Sequence, residues 1–263
     1  MIPNPYIVEW REHVPWILDS QVEQDLIISR ALIEIYRHEN LSKQLAFRGG
    51  TALYKLYLLP PARYSEDLDF VQVNAEPIGP TIDNLRQCLD PWLGKPKRSR
   101  SEGGVTILYS FQPEGNPLNK MHLKIEINSR EHFSLFGFEK RSFRTSSSWF
   151  AGEVTIQTYG LEELLGTKLR ALYQRRKGRD LFDLWLGLTA GKANPKNVLQ
   201  AFVEYTSREC TKISRKEFLL NLERKAQIPE FMSDMRMILA PEFNYDPQIA
   251  LGLVADKLIS LLP

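Results

Sequence analysis

The sequence predicts an α+β fold: a small mixed β-sheet core flanked by an N-terminal helical segment and a C-terminal helical domain. Three observations carry this. Val105 to Phe111 and His122 to Asn128 alternate apolar and polar side chains with the period of half-buried strands. The first forty or so residues, and everything beyond Gly160, instead place apolar residues at helical spacing. Between them, RYSEDLDF (Arg63 to Phe70) crowds Glu66, Asp67 and Asp69 at the head of an apolar, strand-like run that ends FVQV. The N-terminal helices and the sheet core are expected to fill residues 1–157, and the helical domain residues 158–263.

Taken in order, SQVE (Ser20 to Glu23) reads as a capping box for a helix with Ile28, Ala31, Leu32 and Ile35 on one face. QLAFR (Gln44 to Arg48) reads as a short strand ending in Gly49-Gly50. Thr51 then opens a helix carrying Leu53, Leu56 and Tyr57, stopped by Pro60-Pro61. DLDFVQV (Asp67 to Val73) is a strand and Pro80 to Leu93 an amphipathic helix. In HLKIEIN (His122 to Asn128), Leu123, Ile125 and Ile127 face one way and His122, Lys124, Glu126 and Asn128 the other. EVTIQTY (Glu153 to Tyr159) is a last short strand. Pro195, Pro229 and Pro247 mark helix starts, and the final helix aligns Ala250, Leu253 and Leu258.

The 263 residues, 43% hydrophobic and 25% charged, are those of an ordinary globular protein, and a net charge of +2 does not by itself argue for nucleic acid or membranes. The charge is clustered, however, in KPKRSR (Lys95 to Arg100), KRSFR (Lys140 to Arg144) and RRKGR (Arg175 to Arg179). Each alone reads as a solvated loop or helix end; together they fit an extended anionic ligand. Cys88 and Cys210 have no ligand spacing, so neither a disulfide framework nor a zinc site is expected. No leader pattern and no bilayer-length apolar run is present, so the expected location is cytoplasmic, with no membrane partner.

On a strand, Asp67 and Asp69 point the same way while Leu68 and Phe70 point into the core. Two carboxylates one repeat apart suit a hard divalent cation such as Mg²⁺. A D-x-D is common at solvated strand ends, so its neighbours decide its meaning. Gly49, Gly50 and Thr51 form a strand-to-helix turn able to cradle a triphosphate. Glu126 joins Asp67 and Asp69 as a third carboxylate if its strand neighbours theirs; otherwise it is a surface residue on an edge strand. In GLEELLGTKLRALYQRRKGRDLFDLW (Gly160 to Trp185), Lys168 sits among Leu164, Leu165 and Leu172, fitting either a snorkelling surface lysine or a phosphate ligand. Lys168, Arg175, Arg179 and Asp183 share one side of an unbroken helix, but Gly178 is expected to break it and leave Asp180 as a helix cap.

RGGTAL, RYSEDLDF, KIEIN and GTKLRALYQRRKGRDLFDLW, in that order, resemble the successive motifs of the AbiEii/AbiGii nucleotidyltransferase toxins, within the DNA polymerase β-like nucleotidyltransferase superfamily. The resemblance spans about residues 44 to 187. It implies an NTP-dependent, pyrophosphate-releasing transferase using Mg²⁺. It makes Asp67 and Asp69 the metal pair and Gly49, Gly50 and Thr51 the nucleotide-binding turn, with Ser65 in the acidic motif. Lys168 would contact phosphates, and Asp180 would be the essential acid of the last motif, supported by Arg175, Arg179 and Asp183. Where the family often has aspartate, Glu126 stands as the third acid. The implied acceptor is RNA, above all the tRNA 3′ end, and an antitoxin encoded next door would restrain the toxin. Two alternatives share the same residues: transfer to a protein hydroxyl or small molecule, and a binding module without turnover.

Overall fold

A computed structural model describes residues 1–101, 103–114 and 120–263. The chain divides into two units, Met1–Phe133 with Phe138–Tyr159, and Ser134–Gly137 with Gly160–Pro263. In the first, α1 (Asn4–Arg11), α2 (Asp19–Arg37) and α3 (Glu39–Gln44) precede β1 (Leu45–Arg48), α4 (Gly49–Leu56), β2 (Asp67–Gln72) and α5 (Ile78–Leu93). Then come β3 (Lys97–Ser101), β4 (Gly104–Phe111), β5 (Met121–Asn128), β6 (Phe138–Ser146) and β7 (Ala151–Tyr159). The strands form one mixed sheet in the order β3-β4-β5-β2-β1-β7-β6. β2 lies at its centre, antiparallel to β1 and parallel to β5.

The alternating segments become β4 and β5 as expected, with Val105, Ile107, Tyr109, Leu123, Ile125 and Ile127 buried. Leu68 and Phe70 of β2 join them in the core, together with Leu26, Ile28, Leu32 and Ile35 of α2. Two expectations fail. Lys97 to Arg100 of KPKRSR, and all of KRSFR, are not loops or helix ends but lie in β3 and β6, the two outer strands. Every residue of β3 is exposed, so no apolar alternation announces it. Charge on an outer strand also blocks pairing with a second sheet. The SQVE segment is not a capping box: α2 starts at Asp19 with Leu18 in the cap position and no side-chain cap bond. Glu23 is instead buried, accepting the backbone N–H of Ile2 at 2.9 Å and pairing with the Met1 ammonium at 3.0 Å. Tertiary partners claim the carboxylate that the local motif would have used.

The second unit is helical: α6 (Leu161–Gln174), α7 (Gly178–Thr189), α8 (Pro195–Arg208), α9 (Arg215–Ala226), α10 (Pro229–Ser233) and α11 (Pro247–Lys257), closed by a 3₁₀ turn at Ile259–Leu261. α6 packs on α8 closely enough that a Cβ at Gly166 would overlap Ala201 and the backbone of Phe202. Glu163, fully buried in the first turn of α6, holds the inserted segment Ser134–Gly137. It accepts the Ser134 hydroxyl (2.7 Å), the N–H groups of Leu135 (2.7 Å) and Phe136 (3.2 Å), and the Tyr205 hydroxyl (2.9 Å). A carboxylate buried this deeply is tolerable because it is so fully hydrogen-bonded. Among the described residues, no helix is long and apolar enough to cross a membrane.

At the other end of α6, Lys225 of α9 donates to the carbonyls of Leu172 and Tyr173, groups that a helix C-terminus leaves without intrahelical partners. Burial pushes its ammonium down from 10.5 to about 8; nearby Asp180 raises it and Arg176 lowers it further. Below pH 8 both folded and unfolded chains hold this proton. Between about 8 and 10.5 only the unfolded chain does, so stability from this group rises with pH across that window. In denaturant unfolding, the stability of the wild type relative to Lys225→Met is expected to climb over this range, by at most about 1.4 kcal/mol per pH unit. A flat difference would contradict the depressed pKa.

Candidate active site

β2 is the element on which the site is built. Its alternation leaves Asp67 and Asp69 half-exposed on the face opposite Leu68 and Phe70. The parallel register with β5 sets Asp67 beside Lys124 and Asp69 beside Glu126. On its other side, the antiparallel register with β1 sets Asp69 beside Arg48. The condition on which Glu126 depended is met: its strand adjoins that of the two aspartates, and it shares their face. The same ladders continue outward, from Glu126 to Thr106 and Ser99 and from Lys124 to Leu108 and Lys97.

Lys124 supplies positive charge to this acidic face. Its Nζ lies 2.9 Å from Asp67 Oδ2 and 3.4 Å from Glu126 Oε2. Partial burial lowers its pKa, but the hydrogen bond and charge of Asp67, and then of Glu126, outweigh that and hold the ammonium above its ordinary value. Sequence reasoning placed Lys124 on the polar face without giving it a role. Its parity with Glu126 was the available signal, since residues i and i+2 of a strand share a face.

The glycine turn lies directly against the acids. Gly49 has φ +81°, a conformation that side-chain-bearing residues adopt only with strain, and a Cβ there would overlap the Asp69 carboxylate. A Cβ at Gly50 would overlap the guanidinium of Arg63, which is itself buried and stacks over Tyr54 at 4.8 Å. The turn opens α4, whose first N–H groups have no intrahelical acceptors. Thr51 and Ser65 point inward: their hydroxyls are 2.9 Å apart, and Thr51 donates to the Asp67 carbonyl at 2.5 Å. They brace the turn against the head of β2.

A second ionic centre belongs to the helical unit. Lys168 Nζ lies 2.8 Å from Asp183 and 3.3 Å from Asp180, and both aspartates are fully buried. Arg175 grips Asp180 with two bonds, Nε at 2.7 Å and Nη2 at 2.8 Å. Arg179 bonds Asp234 through its backbone N–H and, at 3.4 Å, its side chain. The break expected at Gly178 is present, with α6 ending at Gln174 and α7 starting at Gly178. Asp180 does not cap α7, however: Lys177 holds the cap position with no side-chain bond, and the Asp180 carboxylate turns inward to its two cations. Burial inverts the simplest reading of that aspartate, because a fully buried carboxylate needs partners of its own, and here they are two cations.

The donor set fits a magnesium ion in one specific sense. Among the described residues, no group of three or more His, Cys, Asp or Glu side chains is gathered to hold a metal alone. Two hard carboxylates on one strand, against a turn that leaves no room for a side chain, suit an ion that keeps water and substrate oxygens in its remaining positions.

The family model described as "Nucleotidyl transferase AbiEii toxin, Type IV TA system" matches residues 30–250. Among solved structures, the fold is similar to that of MenT4, a nucleotidyltransferase toxin from Mycobacterium tuberculosis H37Rv, with TM-score 0.65 and 15% identity over 98% of this chain and 88% of that one. It is also similar to that of JHP933 from Helicobacter pylori, with TM-score 0.52 and 18% identity over 93% and 96% of the two chains. Among curated proteins, none matches in sequence.

Two stability measurements check these geometries. Gly49→Ala combines a positive φ with an overlap on Asp69 and is expected to cost about 2 kcal/mol or more. Gly79→Ala, with nothing within 4 Å of the added carbon, is the control and is expected to cost little. Lys168→Met, which leaves Asp183 buried without this cation, is expected to destabilise by about 3 kcal/mol or more. A loss under about 1 kcal/mol would mean that Lys168 is not the structural counter-charge.

Proposed function

The chain belongs to the AbiEii family of nucleotidyltransferase toxins of type IV toxin–antitoxin systems, enzymes that use NTPs, and on that footing we propose that it moves a nucleoside monophosphate from an NTP to an RNA hydroxyl, foremost at the tRNA 3′ end. The single observation that carries this reading is the β2–β5 register, which sets Asp69 beside Glu126 with the Gly49 turn against the same carboxylate. Family membership also implies an antitoxin partner.

In the proposed reaction Asp67 and Asp69 hold Mg²⁺, with Glu126 as the third acid. When bound, the ion would neutralise phosphate charge and acidify the attacking hydroxyl. Glu126 helps to take the acceptor proton as the new bond to the α-phosphorus forms and the bond to pyrophosphate breaks. The Gly49 and Gly50 amides at the start of α4 receive phosphate oxygens. Thr51 and Ser65 serve the nucleotide indirectly, by fixing the turn. In the helical unit, Lys168 and Arg175 serve as counter-charges to the buried Asp180 and Asp183, and Arg179 pairs with Asp234.

The basic clusters support a polyanionic acceptor. Exposed Lys97 of β3 lies on the same ladder as Lys124 and Asp67, three strands from β2 and about 14 Å away at ordinary strand spacing. In RRKGR, Arg175 and Arg179 are engaged by Asp180 and Asp234, while Arg176 and Lys177 are exposed. Such a hold weakens with salt.

Incubation with each labelled NTP, Mg²⁺ and total cellular RNA tests the proposal. The wild type is expected to label an RNA band, and Asp67→Asn or Asp69→Asn to lower labelling by about a hundredfold or more. Undiminished labelling by both variants would overturn the site. Label that enters protein or a small molecule and never RNA would overturn the acceptor.

A further inference from the structure

We infer that Lys124 is the resident counter-ion of the acidic cluster and that it makes metal loading depend on the nucleotide. This rests on reading Asp67 and Asp69 as metal ligands. Lys124 is positioned by the sheet itself: the β2–β5 register sets it beside Asp67, and strand parity turns it to the same face as Glu126. Its ammonium spans the two strands, 2.9 Å from Asp67 and 3.4 Å from Glu126, and so stands between acids that would otherwise repel one another. Its side chain is 34% exposed, leaving a flexible four-carbon stem free to swing outward.

A divalent ion and this ammonium compete for the same oxygens. A magnesium bond of about 2.1 Å to the Asp67 carboxylate would set two cations within about 4 Å of each other. Repulsion between cations this close favours release of Asp67 by Lys124 when the site fills. The anion that the proposed reaction brings to this face is the triphosphate, so the nucleotide takes up the released ammonium. Without nucleotide, Lys124 holds the acids and metal binds weakly; with nucleotide, the ammonium moves to phosphate and metal binds tightly.

Electron paramagnetic resonance titration of the folded protein with Mn²⁺ tests this, with and without a non-hydrolysable NTP analogue. Without nucleotide, Lys124→Met is expected to bind Mn²⁺ about tenfold more tightly than wild type, as expected for loss of two half-exposed ion pairs. Lys124→Arg keeps the charge and should restore weak binding. The tightening by nucleotide should be smaller in Lys124→Met than in wild type. If Lys124→Met binds Mn²⁺ no more tightly than wild type, the inference about Lys124 is overturned and the metal site stands. If Asp67→Asn binds Mn²⁺ as well as wild type, or if no form binds it, the metal reading of the site falls and this inference with it.

Discussion

Three carboxylates on one face of two adjacent strands need a cation, and this need organises the first unit. β2 and β5 run parallel in a register that sets Asp69 beside Glu126, so the sheet concentrates negative charge at its centre. Half-exposure keeps the desolvation cost modest, and Lys124 balances part of the charge. On the proposed reading, the ion held here would be only partly ligated by protein, with its remaining ligands drawn from substrate and water, and metal binding would be tied to catalysis.

Around the acids, the neighbouring parts are held rigidly. The φ of Gly49 and its contact with Asp69 fix how closely the turn approaches β2. Arg63, buried beneath the turn, and the Thr51–Ser65 pair fix the turn from behind. The helical unit solves a separate charge problem in the same manner. Asp180 and Asp183 are buried and become tolerable through Lys168 and Arg175. In both units, acids are matched with specific cations, half-exposed in the first and fully buried in the second.

Much of this was legible in the sequence, for identifiable reasons. Strand parity alone put Asp67 and Asp69 on one face, and the alternation of Leu123, Ile125 and Ile127 put Glu126 on the polar side of its strand. What the sequence left conditional was adjacency: nothing in HLKIEIN says which strand lies next to it, because pairing is set by non-local topology. Lys124 escaped notice for a related reason, since its role exists only once β5 adjoins β2. The outer strands β3 and β6 were hidden because pairing there depends on backbone bonds, and an exposed strand need not alternate. The Ser20–Glu23 motif misled because a buried partner at Ile2 outcompetes a local cap. Asp180 likewise had the sequence position of a cap and the burial of a charge partner. Gly49 was readable as a turn residue, but its contact with Asp69 was not, since that contact joins segments brought together by the sheet.

The central claim is that side chains from β2 and β5 meet at one divalent ion. Anomalous diffraction from crystals grown with Mn²⁺ and a non-hydrolysable NTP analogue tests it most directly. The predicted result is a manganese peak within about 2.5 Å of carboxylate oxygens of both Asp67 and Asp69, with Glu126 directed at the same centre and Lys124 turned to phosphate. A peak bound elsewhere, with Lys124 still spanning Asp67 and Glu126 beside a bound nucleotide, would contradict it.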